Sequence, residues 1–592
     1  MINPYSKISL WFCFVLMIWT GLFFYPRWNQ SKTESTISWD VSGYYMYLPA
    51  IFIYHDLKEF GFLDSMIQKY GPTPDPQQIH VTQEGKKVLK YSGGQALMMA
   101  PFFFIAHGYA LLSGQYPADG FSFPYQLGIG LGMWIYAFIG LWLLRRFLLY
   151  TFSDLETGIV LLLLVFGSNF LNYSSIDQAM THQVLFTIYV GILLLSRKYH
   201  EEFPNAKYLG WIGVLCGIAM WIRPTEIIAL LIPLAWHIRN ISTCRQQMQA
   251  WLKSPQKLLI LFLPVCLFFF IQMIYWKIYS GHWLMYSYGN QGFSWLSPHI
   301  RDFLINFRSG WLLYCPLMIL ALPAVFIMLF RTKNGLVFFI FIALAFYITT
   351  AWDVWDYGGG SGRAMVQYYP AISIALASLI QFVLRKKLAL LFIFFCLPAV
   401  YINLWWTYQA HAGTIQVSQA SKQYYLKTIG RWSIDPEYNK LLDNNYIHEK
   451  SITVESLIYI NTLDSDTANY IVQEASNPCI RLDANHDKTK EYPCSIWTNR
   501  PRIIRASALF WCQEKEWDVW KQTQFIVRFF RKNVEIQSHM IRIFRFLNAG
   551  EKKRIWLDAQ CPEAFDAISI SFWNANSPNQ IWIDDLTIST LE

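Results

Sequence analysis

Charge is scarce in this sequence. Only 15% of its 592 residues are Asp, Glu, Lys or Arg, against 54% hydrophobic and 18% aromatic, whereas soluble domains carry about 25% charged residues. A single soluble globular domain is thereby excluded. The basic residues form no single patch, so the net charge of +9 leaves no footprint for nucleic acid. They sit instead in short clusters between apolar runs, the pattern that sets orientation in a membrane. A cleavage site is missing too. The apolar run from Ile8 to Tyr25 ends without small residues and is too long for a signal-peptide core, so it is expected to remain as an anchor. The tail cysteines have no His in CxxC-type spacing, which argues against zinc there. No internal symmetry relates two halves of the chain, as a transporter of inverted repeats requires.

What is present is a series of apolar runs of membrane-spanning length from residue 8 to residue 408, where the series stops. With Lys7 inside, the clusters Arg145–Arg146, Arg197–Lys198 with Lys207, Arg239/Arg245/Lys253/Lys257, Arg331/Lys333 and Arg385–Lys386–Lys387 should all be cytoplasmic. Spans are then expected near 8–25, 125–144, 156–173, 181–196, 208–222, 224–238, 258–278, 311–330, 335–352, 364–384 and 388–408. That makes about eleven spans. The stretch 96–113, "ALMMAPFFFIAHGYALLS", breaks the parity if it crosses, so it is expected as an interfacial or re-entrant helix on the outer face. The alternative is a true span, compensated if one of the short 208–238 pair does not cross. Segments 26–124, 174–180, 279–310, 353–363 and 409–592 then share the outer side, and they are the segments rich in Gly, Tyr, Trp and isolated charges. Irregular backbone in membrane proteins lines cavities.

The periodicity changes after Gln409. Runs such as "RIIRASALFW", "QFIVRFF", "RIWLDA", "ISISFWN" and "IWIDDLTIS" alternate apolar and polar residues between Asn, Pro, Gly and Asp. They predict an antiparallel β-sandwich. The domains are expected at 1–410, an α-helical membrane domain, and 411–592, an extracytoplasmic all-β domain. The last strands resemble those of a jelly-roll carbohydrate-binding module; a packing domain fits them as well. Cys479, Cys494, Cys512 and Cys561 permit two disulfides, and Cys479–Cys494 is the preferred pair because the two are close and flanked by Pro478 and Pro493.

The acids and bases of the outer face fall in a few stretches. Asp40 stands in "TISWDVSGYYMYLPA" with Tyr44 and Tyr45; Lys90 and Tyr91 precede Ser92-Gly93-Gly94; Asp177 and His182 lie in "SSIDQAMTHQ"; Arg223 and Glu226 in "IRPTE"; Asn290 in "YSYGNQGF"; and Asp353, Trp355, Asp356, Gly359 and Arg363 in "WDVWDYGGGSGRAMVQYYP". Each has an ordinary reading: a lone Asp is usually a loop acid or helix cap, His182 a satisfied polar residue at a span end, Arg223 an interface anchor, and the glycine run a turn. Ionisable residues near spans are nonetheless costly and tend to be functional. Guanidinium for phosphate, backbone N–H for oxygens and one carboxylate for a proton together suit an anionic, lipid-linked substrate.

These stretches, in this order and topology, resemble the multi-pass glycosyltransferases of the GT-C superfamily, which includes protein O-mannosyltransferases and the lipid A aminoarabinose transferase. The resemblance covers residues 1–410 and rests on Asp40, "YSGGQALMMAPFF", "GIAMWIRPT", "YGNQGF…NFRSGWLLYCP" and "WDVWDYGGGSGRAMVQYYP". It implies a fold with juxtamembrane helices in the first outer loop that do not cross. It also implies transfer of a sugar from a polyprenyl-phosphate carrier to a glycan, lipid or protein acceptor on the outer side of the cytoplasmic (inner) membrane. Asp40 would be the general base of a single inverting displacement, and Arg363, helped by Arg223 or Lys90, would bind the donor phosphate. Tyr44, Tyr45, Tyr91, Asp177, His182, Asn290, Trp355 and Gly359 would line the cavity.

Many relatives carry a second acid directly after the first; here Val41 and Ser42 follow Asp40. No required metal or other cofactor is therefore expected, although Asp56, Asp177, Asp353 or Asp356 could supply ligands. Two other functions stay open: a ligase using polyprenyl diphosphate, which needs more outer Arg and Lys, and a transporter or surface-glycan scaffold.

Overall fold

The computed structural model describes all residues except 1–3, 75–77, 357–361, 445–454, 464–470, 475–476, 495–500, 515, 519, 549 and 592. The chain divides into two compact units, Met1–Gly413 and Thr414–Glu592.

The first unit is helical. Among the described residues six helices have the length and hydropathy to cross a membrane: Tyr5–Asn29, Gly94–Ser113, Phe123–Leu148, Pro255–Ser280, Arg363–Arg385 and Ala389–His411. Shorter apolar helices occupy Ala206–Ile222, Pro224–Leu234, Pro316–Arg331 and Gly335–Ala351, with Asp154–Gly167 and His182–Arg197 between them. Helices thus stand at every expected crossing, but length and composition mark only five of those eleven, together with Gly94–Ser113, and do not confirm the expected number of spans. Their ends follow local chemistry. Ser153 and Glu156 form a reciprocal capping box at the start of Asp154–Gly167. Pro124 and Pro255 occupy first turns, where a missing N–H costs nothing. Arg145 and Arg146 close Phe123–Leu148, where positive charge complements the helix dipole.

Gly94–Ser113 is a single helix about 30 Å long. It runs beside the N-terminal half of Phe123–Leu148. His107 Nδ1 meets the Tyr125 hydroxyl at 2.6 Å, and Tyr136 donates to the Met98 carbonyl at 3.0 Å. Its first turn therefore reaches no deeper than the middle of its neighbour. Both of its ends also meet the same loop. Tyr91, just before it, bonds Asp40. Asp119, just after it, accepts from Tyr70 and from Lys69 (2.9 Å), and the Gly120 carbonyl accepts from Tyr45 (2.6 Å). A helix long enough to cross is thus folded back along the segment that precedes it.

The described residues of the second unit form two antiparallel sheets, one of six strands and one of four. Strict alternation in Ile503–Cys512 buries every second side chain, and Phe510 of one sheet packs on Phe572 of the other at 5.7 Å. The last strand, Ile581–Leu591, lies inside the larger sheet, between Ile503–Cys512 and the strands Asn477–Leu482 and Glu455–Asn461. The expected Cys479–Cys494 bridge is not formed. The two residues belong to different sheets, Cys479 to the larger and Cys494 to the smaller, so nearness in sequence does not bring their strands together.

Candidate functional site

The site begins at a backbone irregularity. Trp39 adopts φ +47°, the left-handed region that bulky residues rarely enter and that persists only where surroundings enforce it. Here they do. The Trp39 N–H donates to the Pro72 carbonyl (3.0 Å), and its carbonyl accepts from Gln78 (2.9 Å) and Ser42 (2.7 Å). This turn starts the short helix Trp39–Tyr45 and aims Asp40.

The Asp40 carboxylate is held from two sides. The Tyr91 hydroxyl donates to Oδ1 at 2.8 Å and Arg363 Nη2 donates to Oδ2 at 2.8 Å. The side chains of Arg363 and Asp40 are 15% and 26% exposed, so the pair is reachable without being fully hydrated. Gly43 makes the Tyr91 contact possible, since a Cβ there would lie 2.7 Å from the Tyr91 ring. Gly362 sets up Arg363. Its φ is +64°, and a Cβ would meet the Trp311 ring at 2.7 Å.

Two further cations converge. Lys90 Nζ lies 5.7 Å from the Tyr91 ring centroid and 5.5 Å from that of Tyr288. Arg223, in extended backbone just after Ala206–Ile222, lies close enough to act electrostatically on Tyr44, whose ring is 4.2 Å from Tyr91. Burial alone would raise the Asp40 pKa, but Arg363, the Tyr91 hydroxyl and Lys90 outweigh it and hold the carboxyl below its usual range. Burial lowers the Lys90 ammonium, against the opposing pull of Asp40. Burial and the Asp40 charge keep Tyr91 neutral by pushing its pKa up.

Behind the two arginines lies a buried polar cluster. Glu226 accepts from Tyr189 (2.5 Å), Gln367 Nε2 (2.7 Å) and Tyr368 (3.0 Å). Gln367 Oε1 in turn accepts from His182 Nδ1 at 2.8 Å. Glu226 thereby ties the segment starting at Arg223 to the one starting at Arg363. On the other side, an apolar cavity of about 380 Å³ runs between Met220, Trp221, Phe269 and Trp276, with Ser92 and Pro224 at its wall. These last two adjoin Tyr91 and Arg223 in sequence, so the cavity begins beside the charged cluster.

The structure therefore brings together Asp40, Arg363, Arg223, Lys90, Tyr91 and Tyr44. It does not bring the rest. Tyr45 is fully buried and bonds the Gly120 carbonyl, so it packs the loop instead of lining the site. Asp177 is taken by an ion pair with Arg27 and accepts from Asn172 (2.9 Å). His182 is fully buried and faces Gln367, one layer behind the arginines. Asn290 is exposed in the loop after Pro255–Ser280, and Trp355 is half-buried with no placed role; Gly359 lies outside the described residues. Asp353 accepts from Gly292 and Ser294, and Asp356 pairs with Arg308. Among the described residues no three His, Cys, Asp or Glu side chains gather as a metal site requires. Gln367 and Tyr288 were not anticipated. Neither stands out in sequence, because both are neutral and gain meaning only from distant partners.

No family model matches this chain, and no curated protein matches it. Among solved structures, a family 16 carbohydrate-binding module is 14% identical with a TM-score of 0.16, over 20% of this chain and 82% of that one. The arabinosyltransferase EmbB from Mycobacterium smegmatis is 10% identical with a TM-score of 0.32, over 100% of this chain and 65% of that one, so the match spans less than two thirds of EmbB. Both scores are too low to mark a shared fold.

Proposed function

We propose that this chain is a multi-pass membrane glycosyltransferase of the GT-C kind. It moves a sugar from a polyprenyl-phosphate carrier to an acceptor hydroxyl on the outer side of the cytoplasmic membrane. One observation carries the reading: a single carboxylate, Asp40, sits against Arg363 and Lys90, with Arg223 close to the neighbouring Tyr44, and Ser92 and Pro224, next in sequence to Tyr91 and Arg223, line an apolar cavity. Cations at the head of an apolar groove suit a phosphate that ends a hydrocarbon chain.

In this reading the acceptor oxygen attacks the anomeric carbon from the face opposite the phosphate. The acceptor O–H bond breaks as the new C–O bond forms, and its proton passes to Asp40. The anomeric C–O bond to phosphate breaks with its electron pair, so the polyprenyl phosphate leaves as an anion and the configuration inverts. Arg363, Arg223 and Lys90 stabilise the charge that grows on that phosphate, commonly a larger contribution than proton transfer. A phosphate leaves without protonation, so no second carboxylate is required beside Asp40. Resting Asp40 is a weak base because Arg363 holds it ionised. Donor phosphate competes for Arg363 and frees Oδ2 to take the proton.

The test uses the purified chain in nanodiscs with a panel of polyprenyl-phosphate sugars, following release of polyprenyl phosphate. Wild type is expected to turn over one donor, and Asp40→Asn, with an unchanged melting temperature, to lose at least about three orders of magnitude. Equal release by both proteins, or release of no donor by wild type, overturns the reading.

A further inference from the structure

The transferase reading leaves the acceptor open, and a second feature of the outer face bears on it. From Tyr91, whose hydroxyl is on Asp40, aromatic rings follow one another in contact. Tyr91 meets Tyr288 at 5.9 Å, Tyr288 meets Trp352 at 5.5 Å, Trp352 meets Phe293 at 4.8 Å, and Phe293 stacks on Trp295 at 4.6 Å with planes 10° apart. The series starts at the carboxylate and ends at the surface, where Trp295 is 45% exposed. We propose that Tyr288, Trp352, Phe293 and Trp295 form a subsite for successive sugar rings, so that the acceptor is a glycan chain whose end is presented to Asp40. The proposal rests on the transferase reading of that site.

Three observations favour this occupant. The rings are half-buried to exposed instead of closed over, so they do not form a sealed core for their loop. Their loop is also fixed before any ligand arrives. Ser294 N–H donates to the Ala351 carbonyl (2.7 Å), Asp353 N–H to Gly292 (3.0 Å) and His299 N–H to Thr350 (2.7 Å), while the Asp353 carboxylate accepts from Gly292 N–H (3.0 Å) and Ser294 Oγ (2.7 Å). Rigid rings lose little entropy on binding. Finally, polar groups accompany the rings: Lys90 lies over Tyr288, and Asp353 lies beside Phe293. Sugars present C–H faces to aromatic rings and hydroxyls to carboxylates and ammonium groups, so alternating ring and charge matches them. A lipid acceptor needs an apolar channel without such charges. A membrane-interface belt gathers Trp and Tyr around span ends but gives no reason for a touching series that leads to a carboxylate.

The test measures equilibrium binding, by fluorescence anisotropy, of end-labelled glucan, mannan, galactan and arabinan oligosaccharides of increasing length to the full chain in nanodiscs, with no donor present. Affinity for at least one series is expected to rise with length. Trp295→Ala should cost the longest members about tenfold while leaving the shortest unchanged, and Trp352→Ala should cost members of every length. The glycan is probed alone, so the outcome does not depend on whether Asp40 acts as a base. Absence of binding by every series, affinity independent of length, or indifference to Trp295→Ala overturns the proposal. So does loss, in Trp295→Phe, of fluorescence quenching by brominated lipid, which identifies Trp295 as a membrane anchor.

Discussion

Asp40 is placed so that one charge both restrains it and prepares it. Its pKa lies below the usual carboxylate range because Arg363, the Tyr91 hydroxyl and Lys90 outweigh the burial that alone would raise it. The sign of the pH dependence follows. On the proposed transferase reading, a depressed pKa keeps Asp40 ionised to more acidic pH, so the acid limb of kcat/KM, which reports the free enzyme, lies below that of an ordinary carboxylate. Tyr91→Phe removes one donor to the carboxylate and leaves its burial in place, so the limb moves to higher pH. A pH–rate profile of the two proteins checks this, and an unmoved limb would mean that Asp40 is not the titrating group. The neighbours Tyr44 and Tyr45 show what a single residue in sequence conceals. They are about 100° apart on their helix, one on Arg223 and the other in the loop core. Which faces the site depends on where the helix starts, and the left-handed Trp39 fixes that.

At the scale of elements, the question is what keeps Arg223 and Arg363 in register, since they arrive on segments 140 positions apart in sequence. Glu226 answers it by accepting from Gln367 and Tyr368, in the turn that Arg363 begins, and from Tyr189 on His182–Arg197. Glu226→Ala leaves three buried donors unpartnered at about 1–3 kcal/mol each, and the protein is expected not to fold. Glu226→Gln keeps the shape but weakens charge-assisted bonds. It is expected to raise the donor KM about tenfold, some 1.4 kcal/mol, with a modest fall in melting temperature. A fall in melting temperature with unchanged KM and kcat would assign Glu226 to stability alone. The cluster also marks the limit of reading the sequence. Asp40, Arg223, Arg363 and Lys90 are conspicuous because a membrane protein carries few charges and the basic clusters assign each loop a side. Gln367 is one neutral residue in "AMVQYYP", and its role depends on a partner 141 residues away. His182 is as conspicuous as Asp40, yet it is buried, because hydropathy reveals the depth of a helix better than the direction of one side chain.

At the scale of the whole molecule, the helix Gly94–Ser113 decides which side the site is on. By length and hydropathy it qualifies as a span, and if it crossed, every later basic cluster would lie outside, against the rule that positive loops stay in the cytoplasm. Its first turn stops at the middle of Phe123–Leu148, and the segments before and after it are joined through Tyr45–Gly120 and Lys69–Asp119. Carboxylates and ammonium groups along that seam are too costly to place in hydrocarbon. Cysteines introduced one at a time at Gln83, Gln115 and Gln246, with the accessible Cys244, Cys266 and Cys561 replaced by Ser, test this in intact cells with a membrane-impermeant maleimide. Gln83→Cys and Gln115→Cys are expected to label together from outside, while Gln246→Cys, among the basic residues of the 239–257 segment, labels only after the cells are opened. Labelling of Gln83→Cys and Gln115→Cys from opposite sides would make Gly94–Ser113 a true span. One of the short helices between residues 206 and 234 would then have to turn back within the membrane for the basic clusters to remain inside.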